Sequence, residues 1–230
     1  MARPKRTDTA VDLQQHIKTT ALRQIARYGA AALSLRAIAR ELKITAPAIY
    51  NYYPNRDALV TALIIDAFQS FGDSQLAACN AIAASDLAGQ LLAIGLAYRS
   101  WALAHPQHYQ LIFGTLIPGY VAPAEHVRPL GMRSMSALVS VMQNLHQARR
   151  LKAEDVPLLQ PECFQSYGAA QQPIRDQDLL PVSVAILIWS RVHGLVSLEL
   201  NGSIPPFGTQ GDALYRYELQ VICQQFIKED

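Results

Sequence analysis

Apolar residues recur at helical spacing along most of the chain, beginning with Leu13, Ile17, Ala21, Ile25 and Tyr28 at intervals of three or four. This predicts an amphipathic helix over residues 9–28, with Thr9 and Asp12 as a capping-box-like start and Gly29 as its stop. Ser34 is a good N-cap for a short helix through Leu42. Thr45 caps a third segment with Pro47 in its first turn, where a missing N–H is harmless. That segment cannot pass Pro54, and Asn55 caps a fourth helix that reaches about Ser70 or beyond.

Beyond Asp86 the pattern turns strongly apolar. Leu87, Leu91, Leu92, Ile94 and Leu96 predict a helix ending near His105-Pro106, followed by a short helix over 107–113 that stops at Gly114. Pro118, Gly119, Pro123 and Pro129 mark a broken connection before a long helix from about Leu130 to Leu151. The stretch 157–181, with Pro161, Gly168 and Pro173, reads as a loop or a loop interrupted by one short helix. Two last helices are expected at about 182–200 and 211–228, joined by Asn201 to Pro206. No strand pattern and no internal repeat stand out, so the expected fold is all-α. Three helices form an N-terminal head, and a fourth joins it to a C-terminal bundle.

A length of 230 residues suits one small module and one larger one, placed here at 1–56, with the linking helix beginning over 55–70, and at 71–230. Charge sharpens this division. Residues 1–60 hold ten basic side chains against four acidic ones, a net of +6 in a chain of net +2, which leaves the remainder at −4. A basic head on an acidic body suits a polyanionic partner, since phosphate neutralisation supplies most of non-specific DNA affinity. Charge alone leaves RNA and anionic lipid open. The longest apolar run, Leu179 to Leu200, carries Arg191, His193 and Glu199, so no membrane span is expected. The N-terminus is basic but lacks the apolar core of a signal peptide, which points to the cytoplasm. Cys79, Cys163 and Cys223 are far apart and form no CxxC pair, and they are read as reduced, mostly core thiols.

Residues 34–53 have the layout of a helix-turn-helix, in which one helix lies in the major groove while another braces it across the backbone. Ile38, Leu42, Ile44 and Ile49 are spaced to form the small core between the two helices, and Ala39 is small where they approach. The exposed remainder is chemically suited to DNA: Arg36, Thr45, Tyr50, Asn51, Tyr52 and Arg56. The alternative is a solvated basic face with half-buried tyrosines.

The run from Ser34 to Leu59, SLRAIARELKITAPAIYNYYPNRDAL, resembles the DNA-binding head of TetR-family regulators in its order of caps, isoleucines, tyrosine, proline and following helix start. The resemblance implies that Arg36 reaches a base edge, with guanine the natural bidentate partner. It implies that Thr45, Ala46, Pro47 and Ala48 form the groove-facing start of the recognition helix. Tyr50, Tyr52 and Arg56 would hold phosphates, helped by the positive end of the helix beginning at Arg56. One departure is Lys43, which stands where many relatives have a glycine in the turn. Ala46 and Ala48 offer few hydrogen bonds, so base reading would lean on methyl contacts and DNA shape.

In the body, residues 101–113 and 189–200 resemble two signatures of a TetR-family subtype named for its Trp, His and Gly, here Trp189, His193 and Gly194. Independently of that likeness, Trp189 and His193 are four apart on one helical face, and Gly194 would let another helix come close. Aromatic residues with a few polar groups suit a small-molecule pocket, for which Trp101, His105, Tyr109, Phe113, Trp189 and His193 are the candidate lining. Ordinary core packing is the competing account of each. His105 and His108 are three apart, but Pro106 stands between them and no further ligand accompanies them, so no metal is expected. No phosphate-cradling glycine loop, nucleophile motif or placed carboxylate pair appears, so neither an enzyme nor a cofactor is expected.

These features predict a homodimeric regulator, because two heads about 34–36 Å apart can enter successive major grooves of a palindromic operator. The last two helices resemble the family's dimer interface. Release of a repressor by a small-molecule effector is the behaviour the resemblance implies. One rival is an all-α ligand-binding or enzymatic bundle without specific DNA binding, and a second is a DNA-binding architectural protein with no effector.

Overall fold

The computed structural model describes residues 6–114, 116–160, 176–203 and 211–228. Among them are nine α-helices and no strand beyond one isolated bridge: α1 (Arg6–Tyr28), α2 (Leu35–Glu41), α3 (Ala46–Tyr50), α4 (Arg56–Asn80), α5 (Leu87–Ala104), α6 (Pro106–Phe113), α7 (Ala124–Gln147), α8 (Asp176–Leu200) and α9 (Gly211–Phe226). The all-α expectation is met. The larger differences lie at helix starts, and α7 ends at Gln147 rather than near Leu151, which instead bridges to Ile227. Helix α1 begins at Arg6, so Thr9 sits inside it and is not its N-cap. Pro129 and Pro181, read as breakers, each occupy the sixth position of a helix, α7 and α8. A proline there removes one backbone bond, because most preceding N–H groups of the first turn have no intrahelical acceptor anyway. Side-chain packing near those starts outweighs that loss: Val127 packs on a hydrophobic core, and Ser183 accepts from the Leu159 amide at 3.0 Å. The expected 157–181 loop lies mostly outside the described residues, as does Cys163.

The helices form two compact units, Met1–Phe68 with His105–Val127, and Gln69–Ala104 with Arg128–Asp230. The first therefore takes in α6, which a division by position alone places in the body. Its core explains why: Ile17, Ala21, Ile25, Leu35, Ile38, Ile49, Tyr53, Leu59 and Leu63 are buried together, and Leu111, Ile112 and Ile117 pack against the same cluster. Tyr28, expected on the apolar stripe of α1, is instead 68 % exposed at the helix end, where Gly29 turns the chain away at φ +77°.

The second unit buries Phe71, Leu91, Ile94, Tyr98, Trp101, Leu138, Met142, Ile188, Val192, Tyr215 and Leu219, with other aliphatic residues. Helices α5 and α9 touch at Gly95, where an added Cβ would lie 2.5 Å from Leu219 Cδ2, and the Tyr215 hydroxyl donates to the Gly95 carbonyl at 2.7 Å. Gly194, expected to admit a neighbouring helix, faces open space within the protomer. The Arg99 guanidinium ties three helices together, donating to Glu199 at 2.6 Å and Asp212 at 2.7 Å. By length and composition Gln177–Leu200 could cross a membrane. Here Val184, Ala185, Ile188, Val192 and Val196 spend that apolarity in the core, while Arg191 pairs with Glu218 on α9.

Candidate nucleic-acid interface and the core of the body

The helix-turn-helix is held by a core that leaves its polar side chains outside. Ile38 and Ile49 are fully buried and Ala39 nearly so, with Leu42 and Ile44 half-buried against them. Ser34 caps α2, its Oγ accepting from the Ala37 amide at 3.4 Å, and Asn55 caps α4, its Oδ1 accepting from the Ala58 amide at 2.8 Å. Thr45 occupies the N-cap position of α3 with extended backbone, but its side chain makes no cap bond. The expected cap is thus positional only, which leaves the exposed Thr45 hydroxyl available to another partner.

Arg36, Thr45, Ala46, Pro47, Tyr50 and Asn51 are exposed, and Ala48 and Tyr52 are half-buried. Tyr52 also packs on the head core. The short helix α3 thus offers a small, methyl-rich start with phenolic and amide groups at its end. Two ion pairs tie the neighbouring helices of the head together: Arg23 on α1 meets Glu41 on α2 at 3.2 Å, and Lys18 on α1 meets Asp66 on α4 at 2.6 Å. Periodicity alone did not reveal either pair, since both bridge helices far apart in sequence.

Arg56 behaves differently from an exposed phosphate ligand. Its Nη2 donates to the Ala30 carbonyl at 3.1 Å, Nη1 lies 3.9 Å from Asp57, and the buried Nε has no partner. The side chain braces the start of α4 against the connection between α1 and α2.

The six residues expected to line a pocket are divided between the two units. Trp101, Trp189 and His193 belong to the second, where a continuous aromatic series runs Trp101–Phe71–Tyr98–His193–Trp189. Phe71 lies 4.9 Å from both the Tyr98 and Trp101 rings, the Tyr98 hydroxyl and His193 Nδ1 share a 2.8 Å hydrogen bond, and Trp189 stacks on His193 at 4.9 Å. Trp101 Nε1 donates to Ser70 Oγ at 2.9 Å. Burial lowers the His193 pKa, favouring the neutral ring. Tyr98, Phe71 and Ser70 carried no motif or spacing that marked them in advance.

Within this unit Tyr98, Trp189, Leu138 and Leu219 enclose a cavity of about 20 Å³, room for roughly one water. His105, Tyr109 and Phe113 belong to the first unit, where Tyr109 is buried against Phe113 at 5.1 Å. Pro106 begins α6 rather than interrupting it, and the His105 and His108 rings meet edge-on at 5.7 Å. Burial and the neighbouring His105 lower the His108 pKa. Among the described residues no group of three or more His, Cys, Asp or Glu could hold a metal ion. The first unit also carries an open cleft of about 290 Å³ between the end of α1 and α6, bordered by Ile25, Gly29, Gln107 and Gln110; none of the six expected lining residues borders it.

Comparison with known proteins bears on both units. A family model described as bacterial regulatory proteins, tetR family, matches residues 17–63, and one described as tetracyclin repressor-like, C-terminal domain, matches residues 91–222. The HTH-type transcriptional regulators Rv1816 of Mycobacterium tuberculosis and Mb1846 of Mycobacterium bovis are each 31% identical over 203 residues, which is 86% of this chain and 85% of theirs. The crystal structure of the regulatory protein SCO4313 is 34% identical, with a TM-score of 0.74 over 95% of this chain and 98% of that one. The fatty acid degradation regulator FadR from Bacillus halodurans is 13% identical with a TM-score of 0.64, a likeness of fold over 90% of this chain and 96% of that one.

Proposed function

Because this chain belongs to the tetR family of bacterial regulatory proteins and is a DNA-binding transcriptional regulator, we propose that it is a cytoplasmic, homodimeric repressor that leaves a palindromic operator when a small molecule enters its helical body. The observation that carries the DNA side is the exposed set Arg36, Thr45, Tyr50 and Asn51 around a recognition helix whose own core is fully buried. Arg36 supplies bidentate base recognition, and Thr45 to Ala48 present a hydroxyl and methyl groups to the groove. Tyr50 and Tyr52 position the backbone. Arg56 reaches a phosphate with the guanidinium edge that its bond to Ala30 leaves over.

Dimerisation runs through α8 and α9. Leu187, Leu198 and Tyr217 are exposed on these helices, and the open space over Gly194 gives room for a partner's side chains. The effector site lies among Trp101, Tyr98, Trp189 and His193. This pattern also supports the Trp-His-Gly subtype.

A ligand pocket ordinarily needs about 300 Å³ or more, so the effector must stabilise a state in which the 20 Å³ cavity has opened. An effector that prefers the open state by about 1–3 kcal/mol shifts the operator equilibrium by a factor of roughly 5–150.

The test begins by selecting duplexes from a random-sequence library with the unmodified protein and sequencing the survivors. A two-fold symmetric site, bound with steep salt dependence and lost on Arg36→Ala and Tyr50→Phe, is the expected result. Equal affinity of those variants would sink the head assignment, and recovery of no sequence preference would favour a helical bundle that does not read DNA.

A further inference from the structure

The backbone at Lys43 has φ +55°, the left-handed region that side chains avoid and glycine enters freely. The reason is local. Helix α2 ends in a Schellman motif, in which the Ile44 amide donates to Ala39 O at 3.0 Å and the Lys43 amide to Arg40 O at 3.2 Å. The residue between the C-cap, Leu42, and Ile44 must be left-handed for both bonds to close, and Ile44 then folds onto the head core. Glycine at this position would remove the strain. The chain holds a lysine there instead, with an exposed side chain that takes part in no ion pair with any described residue.

We infer that Lys43 is a phosphate-binding residue of the operator complex, a charge held at the mouth of the recognition helix at the expense of backbone strain. The inference rests on the DNA-binding reading above. Thr45, where the groove-facing segment begins, is two residues on, so the two Cα atoms are at most about 7 Å apart. The long flexible stem of a lysine spans from there to the sugar-phosphate backbone flanking the groove. The charge has a reason to be there, because Ala46, Pro47 and Ala48 present no side-chain hydrogen-bond donor to the DNA. Affinity must come from positions beside them.

The chain supplies its own control. Helix α7 ends in the same motif, with Arg149 at φ +58°, its amide donating to His146 O at 3.0 Å and the Arg150 amide to Leu145 O at 2.9 Å. A cation at such a position gains from the negative end of the helix wherever it stands. If that were the whole role of Lys43, the two positions would answer alike to substitution.

Lys43→Gly, Lys43→Asn, Lys43→Arg and Arg149→Gly are to be compared in the full-length protein, by thermal melting and by anisotropy titration of a labelled duplex selected with the unmodified protein, from 50 to 200 mM salt. Lys43→Gly and Arg149→Gly each raise Tm by about 2–4 °C as strain is relieved. Lys43→Gly and Lys43→Asn reduce the salt slope by about 1 per protomer and weaken binding about tenfold at the lower salt, while Lys43→Arg stays within about twofold of the parent. Arg149→Gly leaves the slope unchanged. Should Lys43→Gly destabilise the head, Lys43→Asn carries the test, since asparagine tolerates the left-handed backbone without charge. An unchanged slope in the Asn variant overturns the inference whatever the melting data show. Failure of the parent to bind any duplex would instead strike at the DNA-binding reading itself.

Discussion

Replacing Arg56 by methionine removes a guanidinium while keeping most of its apolar stem, and the geometry sets opposing terms. The lost bond from Nη2 to Ala30 O, at 3.1 Å with a charged donor, is worth about 1.5–3 kcal/mol when fully formed. The side chain is 27 % exposed, which reduces that figure, and the Ala30 carbonyl still accepts from the Leu33 amide at 3.3 Å, so no buried acceptor is orphaned. Removal also relieves the buried, unpartnered Nε, a gain of about 1 kcal/mol or slightly more. The net expectation is a destabilisation of about 1 kcal/mol, measured by urea denaturation with parent and variant at one protein concentration. Arg56→Lys recovers little of it, because an ammonium lacks the fork that spans from α4 to Ala30. If Arg56 also holds a phosphate as proposed, the methionine variant loses one such contact per protomer in DNA titrations, about two per dimer. Parent and variant affinities should therefore converge by roughly tenfold between 50 and 200 mM salt. A methionine variant as stable as the parent would refute the brace, and an undiminished salt slope would refute the phosphate contact.

Thr45→Ala should leave stability unchanged within about 0.3 kcal/mol, because its hydroxyl makes no cap bond, yet weaken operator binding; Ser34→Ala should cost about 0.5 kcal/mol, the low end for a cap whose bond is 3.4 Å long. A stability loss for Thr45→Ala as large as that for Ser34→Ala would contradict the capping geometry. Tyr215→Phe removes a buried hydroxyl donated to Gly95 O at 2.7 Å and is expected to cost about 1–2 kcal/mol in urea denaturation, with operator affinity unchanged at saturating dimer concentration. The His193 and His108 pKa values are both lowered in the folded state, so the unfolded chain binds these protons more readily. Stability from this source is complete above the ordinary histidine value of 6.5 and declines as pH falls below it through the lower folded values. Melting scans from pH 7.5 to 5 should show Tm falling, and a His193→Gln variant whose Tm falls just as steeply would remove His193 from the account.

The helix-turn-helix was legible because every level of the chain agrees there. Ser34 and Asn55 are caps in the sequence and caps in the structure, and Ile38 and Ile49 are spaced to meet and are buried. Short-range chemistry decides such a unit, so a single chain without relatives shows it. The charge division is equally local, since ten basic residues near the N-terminus remain there however the rest folds.

Tertiary structure decided what depends on partners distant in the chain. Whether Arg56 faces solvent or Ala30 turns on a carbonyl 26 residues away, and whether His193 meets a polar partner turns on Tyr98, 95 residues away. Pro129 and Pro181 read as helix breakers because local propensity counts only the lost N–H, whereas packing around Val127 and Ser183 outweighs it. Gly194 and Gly95 look alike in sequence, and only the packed structure shows that the second is the one a neighbouring helix crosses. Lys43 stands between the two regimes. Its departure from a glycine is visible in the sequence, but the sign of its φ, and with it the cost of keeping a charge at that turn, is set by the two backbone bonds that close α2 over the core.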